Sequence, residues 1–261
     1  MFGKPAVVAR YETQLANEWQ ILENEMLDTL GVSKAEWMDF MQNYRYKYDA
    51  FEDNLKREER RNGQPLSNNF KNLALQLFQK INMNPGKVDL IRNESSGRRL
   101  HASRSAIYVS ENKLANDTPN EIEASLLHEL GHIVNSDDEF IYFLEKFYEW
   151  YGKKSNGFLG SVIKNFYEKP AGTKGITAKV FKAVRKKIRH FQEKREDTWA
   201  ALYSIVYARA LLSIYKRMRS KYKDRDSETH PSFSKRIRNL QYICSDMEND
   251  PDMRDGQVCV R

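Results

Sequence analysis

The pentapeptide His128-Glu129-Leu130-Gly131-His132 carries the most specific chemistry in this chain. On a helix, residues four apart share a face, so the two imidazoles stand about 6 Å apart and can bind one metal ion. Glu129 follows the first of them and can act as general base towards a water whose pKa the metal lowers from about 16 towards 7. That chemistry is hydrolytic. Two ordinary surface histidines on a helix are the bland alternative, and they need no further residues.

A catalytic site of this type needs a third protein ligand. Glu193-Lys194-Arg195-Glu196-Asp197 is the best source of one. Glu193 and Asp197 lie four apart, and Ala200, Ala201 and Ser204 continue their face. Small residues there allow this helix to approach the motif helix closely. Glu193 is therefore expected on the metal, with Asp197 orienting a ligand histidine from behind. Glu196 and His190 compete for the third position. The opposite face, with Phe181, Val184, Ile188, Phe191, Trp199 and Leu202, reads as core. Taken alone, the acids of this segment also fit solvated pairs with neighbouring Lys and Arg.

The elements that must position these groups follow from periodicity and punctuation. In Thr118-Pro119-Asn120-Glu121, Thr118 can cap a helix, Pro119 suits its first position and Glu121 completes a capping box. Ile122, Leu126, Leu127, Leu130, Ile133 and Val134 then predict a core-facing surface through to Asn135. Upstream, residues 1–65 have apolar positions at helical spacing, with a boundary at Asn62-Gly63. A further helix over 69–83 stops before Asn84-Pro85-Gly86. Residues 87–91 and 106–110 are short and rich in β-branched or aromatic residues, which predicts two strands. Downstream, 140–152 is aromatic and helical in pattern, Lys169–Gly175 reads as a loop, and one long helix is expected from Ala178 towards Lys221.

Composition bounds the rest. The 261 residues hold 12 Gly and 7 Pro, too few for long disordered linkers. No leader-like apolar run opens the chain, and no stretch of about 18 apolar residues occurs, so it reads as soluble and cytoplasmic. The net charge of +7 is modest. Basic residues gather between Lys174 and Arg225, but acids interleave with them, and solvated helix faces explain them better than a nucleic-acid surface. Cys244 and Cys259 read as free thiols.

A third segment, His230-Pro231-Ser232-Phe233-Ser234-Lys235-Arg236-Ile237, completes an ordered series with His128–His132 and Glu193–Asp197. In this series the chain resembles the gluzincin metallopeptidases grouped with the CAAX prenyl endopeptidases, the HtpX-like proteases and their soluble bacterial relatives. Their hallmarks are HExxH, a later ExxxD, and a His-Pro segment followed by an arginine. The resemblance spans roughly residues 70–242. It implies that His230 stabilises the oxyanion of the transition state, the alternative being a histidine that merely caps the following helix, and that Arg236 does the same or pairs with an acid such as Asp197. Two features depart from the family. The spanning helices of its membrane members are missing, and His101-Ala102-Ser103 replaces the Asn-Ala before the edge strand.

The resulting expectation is a mainly α protein with a small β-sheet (α+β), built as a zincin-like metallopeptidase domain. Residues 1–65 form an N-terminal helical extension, 66–245 the metallopeptidase domain and 246–261 a polar tail. The expected function is that of a zinc endopeptidase with one Zn2+ per chain. Its metal ligands are His128, His132 and Glu193, its catalytic groups Glu129 and His230, and Asp197 and Arg236 support them. The partner is a protein or peptide substrate, which a strand such as Ala106–Ser110 can pair with. No specific nucleic acid and no transmembrane segment is expected, while peripheral membrane contact stays open. The other readings are a protease-like binding protein without activity, and a cytosolic peptidase that cleaves a regulatory protein.

Overall fold

The computed structural model describes residues 5–62, 64–94, 99–103, 105–154 and 176–253. The chain is mostly helical with one three-stranded sheet. Its elements are α1 (Ala6–Leu30), α2 (Lys34–Asn62), α3 (Asn68–Lys80), β1 (Asp89–Arg92), β2 (Leu100–Ser103), β3 (Ala106–Val109), α4 (Glu111–Leu114), α5 (Pro119–Val134), α6 (Asp137–Lys154), α7 (Ile176–Leu202), α8 (Ile205–Lys221) and α9 (Phe233–Asn249).

The strand order is β1-β3-β2. β1 runs parallel to β3, pairing Asp89 with Ala106. β2 runs antiparallel to it, pairing Leu100 with Val109. Three strands therefore stand where sequence patterning predicts two. Leu100–Ser103 is hidden in the sequence because one buried leucine is followed by half-buried His101, Ala102 and Ser103 without alternation, a run with little β signature. This placement also corrects the expected substrate strand. β3 is central and paired on both sides, so the edges of the sheet are β1 and β2.

Among the described residues two large apolar cores form, beside a small cluster of Ile91, Ala106 and Tyr108. The first gathers Phe70, Leu77 and Phe78 of α3, Ile107 and Val109 of β3, Leu126, Leu127 and Leu130 of α5, Leu211 and Ile214 of α8, and Leu240, Ile243 and Met247 of α9. The second gathers Leu22, Met26 and Leu27 of α1, Trp37, Phe40 and Tyr48 of α2, Ile141, Phe143, Leu144, Phe147 and Tyr148 of α6, and Phe181, Val184, Ile188 and Phe191 of α7. Two helices join both. The start of α1 (Val7, Val8, Tyr11) and the end of α7 (Ala200, Ala201, Leu202) lie in the first core.

Three further expectations are corrected. The single helix from Ala178 to Lys221 is two helices, because Ser204 leaves helical geometry (φ −165°, ψ 142°) and its hydroxyl accepts a hydrogen bond from Val206 N, capping α8. Ser204 therefore does not extend the Glu193 face. Val134 is exposed rather than core-facing, since the helix ends there and turns away. The polar tail expected from 246 begins inside α9, and Met253 beyond it is buried. Cys244 is a buried free thiol, whereas Cys259 and the expected loop at 169–175 lie outside the described residues. Among the described residues no helix is long and apolar enough to cross a membrane.

Candidate metal centre

α5 begins where its capping box lies. Thr118 Oγ1 accepts from Glu121 N (3.3 Å), and Thr118 N donates to the Glu121 carboxylate (3.0 Å). The helix then carries His128 and His132 on one face, their rings nearly perpendicular at 87°. Gly131, between them, lets α7 come close. A Cβ at this position would meet Glu196 Oε2 at 2.0 Å and Glu196 Cδ at 2.8 Å. The glycine inside the pentapeptide is thus a packing requirement between two helices.

Across that contact α7 supplies Glu193. His128 Nε2 and His132 Nε2 lie 3.2 Å apart. Glu193 Oε2 is 3.5 Å from the first and Glu193 Oε1 is 3.6 Å from the second. Donors held about 2.0–2.1 Å from a tetrahedral ion stand about 3.3 Å from one another. The three side chains match that spacing, and they are placed to hold a metal ion. Glu193 Oε2 is moreover buried without an aligned hydrogen bond, its charge met by Arg236 Nη1 at 2.9 Å.

The other ring nitrogens are engaged from behind. His128 Nδ1 lies 3.0 Å from Asp197 Oδ1 as an ion-pair contact without hydrogen-bond alignment, and His132 Nδ1 makes a hydrogen-bond contact of 2.7 Å with Asp137 Oδ2. Such contacts fix ring orientation and aim each Nε2 at a common point. Asp197 is held in turn by Arg236, through Nε to Oδ2 at 2.7 Å and Nη2 to Oδ1 at 2.6 Å, and by the Tyr215 hydroxyl at 2.6 Å.

Charge follows this geometry. Burial pushes the His128 imidazolium down, but Asp197 and Glu193 outweigh it and hold its pKa well above the ordinary histidine value. Burial likewise works against ionised Glu193 and Asp197. Arg236 and His128 prevail, keeping Glu193 well below the usual carboxylate range and Asp197 down at about 2. Glu193 and Asp197 are thereby kept ionised, with Arg236 and the protonated His128 meeting their charge.

No family model matches the chain, and no curated protein or solved structure matches it either.

Of the competitors for the third position, Glu196 falls with His132 and Asp137 in a second group whose ligand atoms could hold a metal ion. Glu196 is buried, but Arg195 Nε holds it at 2.6 Å and Asn135 Nδ2 at 3.1 Å. Burial and the neighbouring Asp137 push its carboxyl up to about 7 against the pull of Arg195. His190 Nε2 contacts the carbonyl of Ser227 at 3.0 Å, so it braces a loop. Of the two options open to Arg236, the structure has the pairing one.

Glu129 and His230 face a cleft of about 1250 Å3 that also opens onto His128, His132 and Glu193. Glu129 Oε2 accepts a hydrogen bond from Ala102 N on β2 (2.5 Å). His230 Nε2 is 3.4 Å from Glu193 Oε1, and its Nδ1 meets Thr229 Oγ1 at 2.6 Å.

Asp137 and Tyr215 were missed by sequence reasoning. A signal for Asp137 exists in Asn135-Ser136-Asp137-Asp138. Ser136 takes a left-handed conformation (φ 53°), and this turn brings Asp137 back to the histidine five residues earlier. Tyr215 carries no local signal, since it comes from a helix that begins only after the break at Ser204.

Proposed function

We propose that this protein is a zinc-dependent endopeptidase of the zincin type, with His128, His132 and Glu193 as the metal ligands. The observation that carries the reading is the convergence of these three donors beside Glu129, in a cleft bordered by β2, an edge strand of the sheet. Two imidazoles and one carboxylate suit zinc and leave a position open for chemistry. When bound, zinc supplies the Lewis acidity that activates water near neutral pH and polarises a carbonyl.

The protein's own groups do the rest. Ala102 N points away from β3, where an extended peptide can pair with the β2 edge. As that pairing takes over Ala102 N–H, the Glu129 carboxylate is released to act as base. Glu129 removes the proton from the attacking water and delivers it to the departing amine nitrogen, so the proton balance closes. His230, on the same cleft, donates a hydrogen bond to the carbonyl oxygen as negative charge develops there. Arg236 and Asp197 hold Glu193 and His128 in place throughout.

The test is Glu129→Gln. It removes the base and keeps every ligand, so zinc content stays at the parent level while peptide hydrolysis falls by about 100-fold or more. Hydrolysis near the parent rate would sink the mechanism. His128→Ala, measured alongside, loses both zinc and activity.

A further inference from the structure

The cleft carries a charge pattern beyond the metal centre. Arg99, Arg189 and Arg217 line it with Lys221, Lys223 and Arg225. The first three are occupied. Arg99 and Arg217 share Asp117, and Arg189 pairs with Asp138 at 3.2 Å.

The last three differ. They sit at the end of α8 and in the segment leading to His230, and they are exposed. Among the described residues their side chains have no ion pair or hydrogen bond. The acids between them are used elsewhere. Asp224 accepts from Ser234 N at 3.1 Å and from the Ser234 hydroxyl. Asp226 accepts from Ser232 N at 2.9 Å and pairs with Lys235 at 2.6 Å. The run Lys221-Tyr222-Lys223-Asp224-Arg225-Asp226 thus sorts its charges, with carboxylates turned to the start of α9 and cations left in the cleft. Unneutralised charge in a concave site focuses its field on whatever enters.

We infer that the cleft takes an acidic polypeptide segment, with Asp or Glu side chains flanking the bond presented to His128, His132 and Glu193 and held by Lys221, Lys223 and Arg225. The identity of the segment as a substrate rests on the peptidase reading; its binding does not. A peptide fits better than a nucleic acid, because Glu129, Asp138 and Glu193 also line the cleft. They would repel a continuous phosphate chain, whereas a peptide carries charge only at chosen positions.

The experiment uses the full chain as its zinc-loaded Glu129→Gln variant and two fluorescent peptides, one with Glu on both sides of a central Phe-Leu bond and one with Gln there. Anisotropy at low salt is expected to give about tenfold tighter binding of the Glu peptide, a gap that narrows as salt screens it. Adding Lys221→Gln, Lys223→Gln and Arg225→Gln together abolishes the preference. Charge reversal of the three to Glu turns it towards a Lys-flanked peptide. Equal binding of the Glu and Gln peptides, no binding of either, persistence of the preference in the triple variant, or tighter binding of a single-stranded oligonucleotide overturns the inference. Cleavage of the Glu peptide by the unaltered protein is scored separately. Preference without cleavage sinks the peptidase reading alone, and cleavage without preference sinks this inference alone.

Discussion

At the scale of the residue, a metal held as proposed would compete with protons for the same anionic pocket. In the metal-free protein, the raised His128 pKa stabilises the fold fully below the unfolded value of about 6.5, and that contribution is lost as pH rises through the higher folded value. A bound metal would run the other way, because His128 must shed its proton to hold it. Zinc affinity should therefore climb between about pH 6 and 8, approaching tenfold per unit for each proton displaced. Calorimetry in buffers of different ionisation enthalpy measures the protons released, and a pH-independent affinity would contradict the raised pKa. The two glutamates of α7 separate by the same logic. Glu193→Gln removes a donor from the metal, and its cost should exceed the about 10–100-fold loss typical of a supporting partner. Glu196→Gln keeps a polar group where Arg195 and Asn135 hold it, and zinc should stay bound. Release of zinc by the Glu196 substitution alone would move the third ligand.

At the scale of the element, the centre depends on how closely α5 and α7 approach. Gly131→Ala makes the point with a sign that helix propensity gets wrong. Alanine favours an isolated helix by about 1 kcal/mol over glycine. Here its Cβ would fall on Glu196, which is buried and fixed, and overpacking of this kind costs about 1–3 kcal/mol. The variant should melt below the parent and bind zinc more weakly, since His128 and His132 would be pushed from Glu193. A thermal scan with a zinc titration decides it, and an equal or higher melting temperature would show that α7 yields freely. Sequence legibility follows the same division. The capping box, the paired histidines and Glu193 with Asp197 were readable because helical spacing alone brings them together. The break at Ser204, the strand Leu100–Ser103 and the contact of Asp137 with His132 were not, because each depends on tertiary context that overrides a weak local pattern.

At the scale of the whole molecule, the N-terminal helices raise a question that sequence boundaries leave open, namely whether the remainder folds without them. α1 and α2 bury Val7, Val8, Tyr11, Leu22, Met26, Leu27, Trp37, Phe40 and Tyr48. The first three belong to the core beneath the metal helix and the others to the core shared with α6 and α7. Polar ties run to the far end of the chain as well. Val7 N donates to Asp250 at 3.0 Å, and the Tyr11 hydroxyl meets Asp246 at 2.7 Å. Each large apolar side chain withdrawn from water contributes about 1.5–3 kcal/mol, while the net stability of a whole domain is about 5–15 kcal/mol. Losing these side chains, with the facing surfaces of α6 and α7 left bare, removes more than the fold has to spare. Deletion of residues 1–65 should therefore yield a chain that aggregates or lacks a cooperative thermal transition, even with zinc present. The intact protein should unfold in one transition, because α1 and α7 both run through both cores. Circular dichroism and sedimentation of the truncated chain provide the measurement. A soluble, cooperatively melting fragment that still binds zinc would show that the first two helices are an appendage, and that α6 and α7 can cover their own apolar faces.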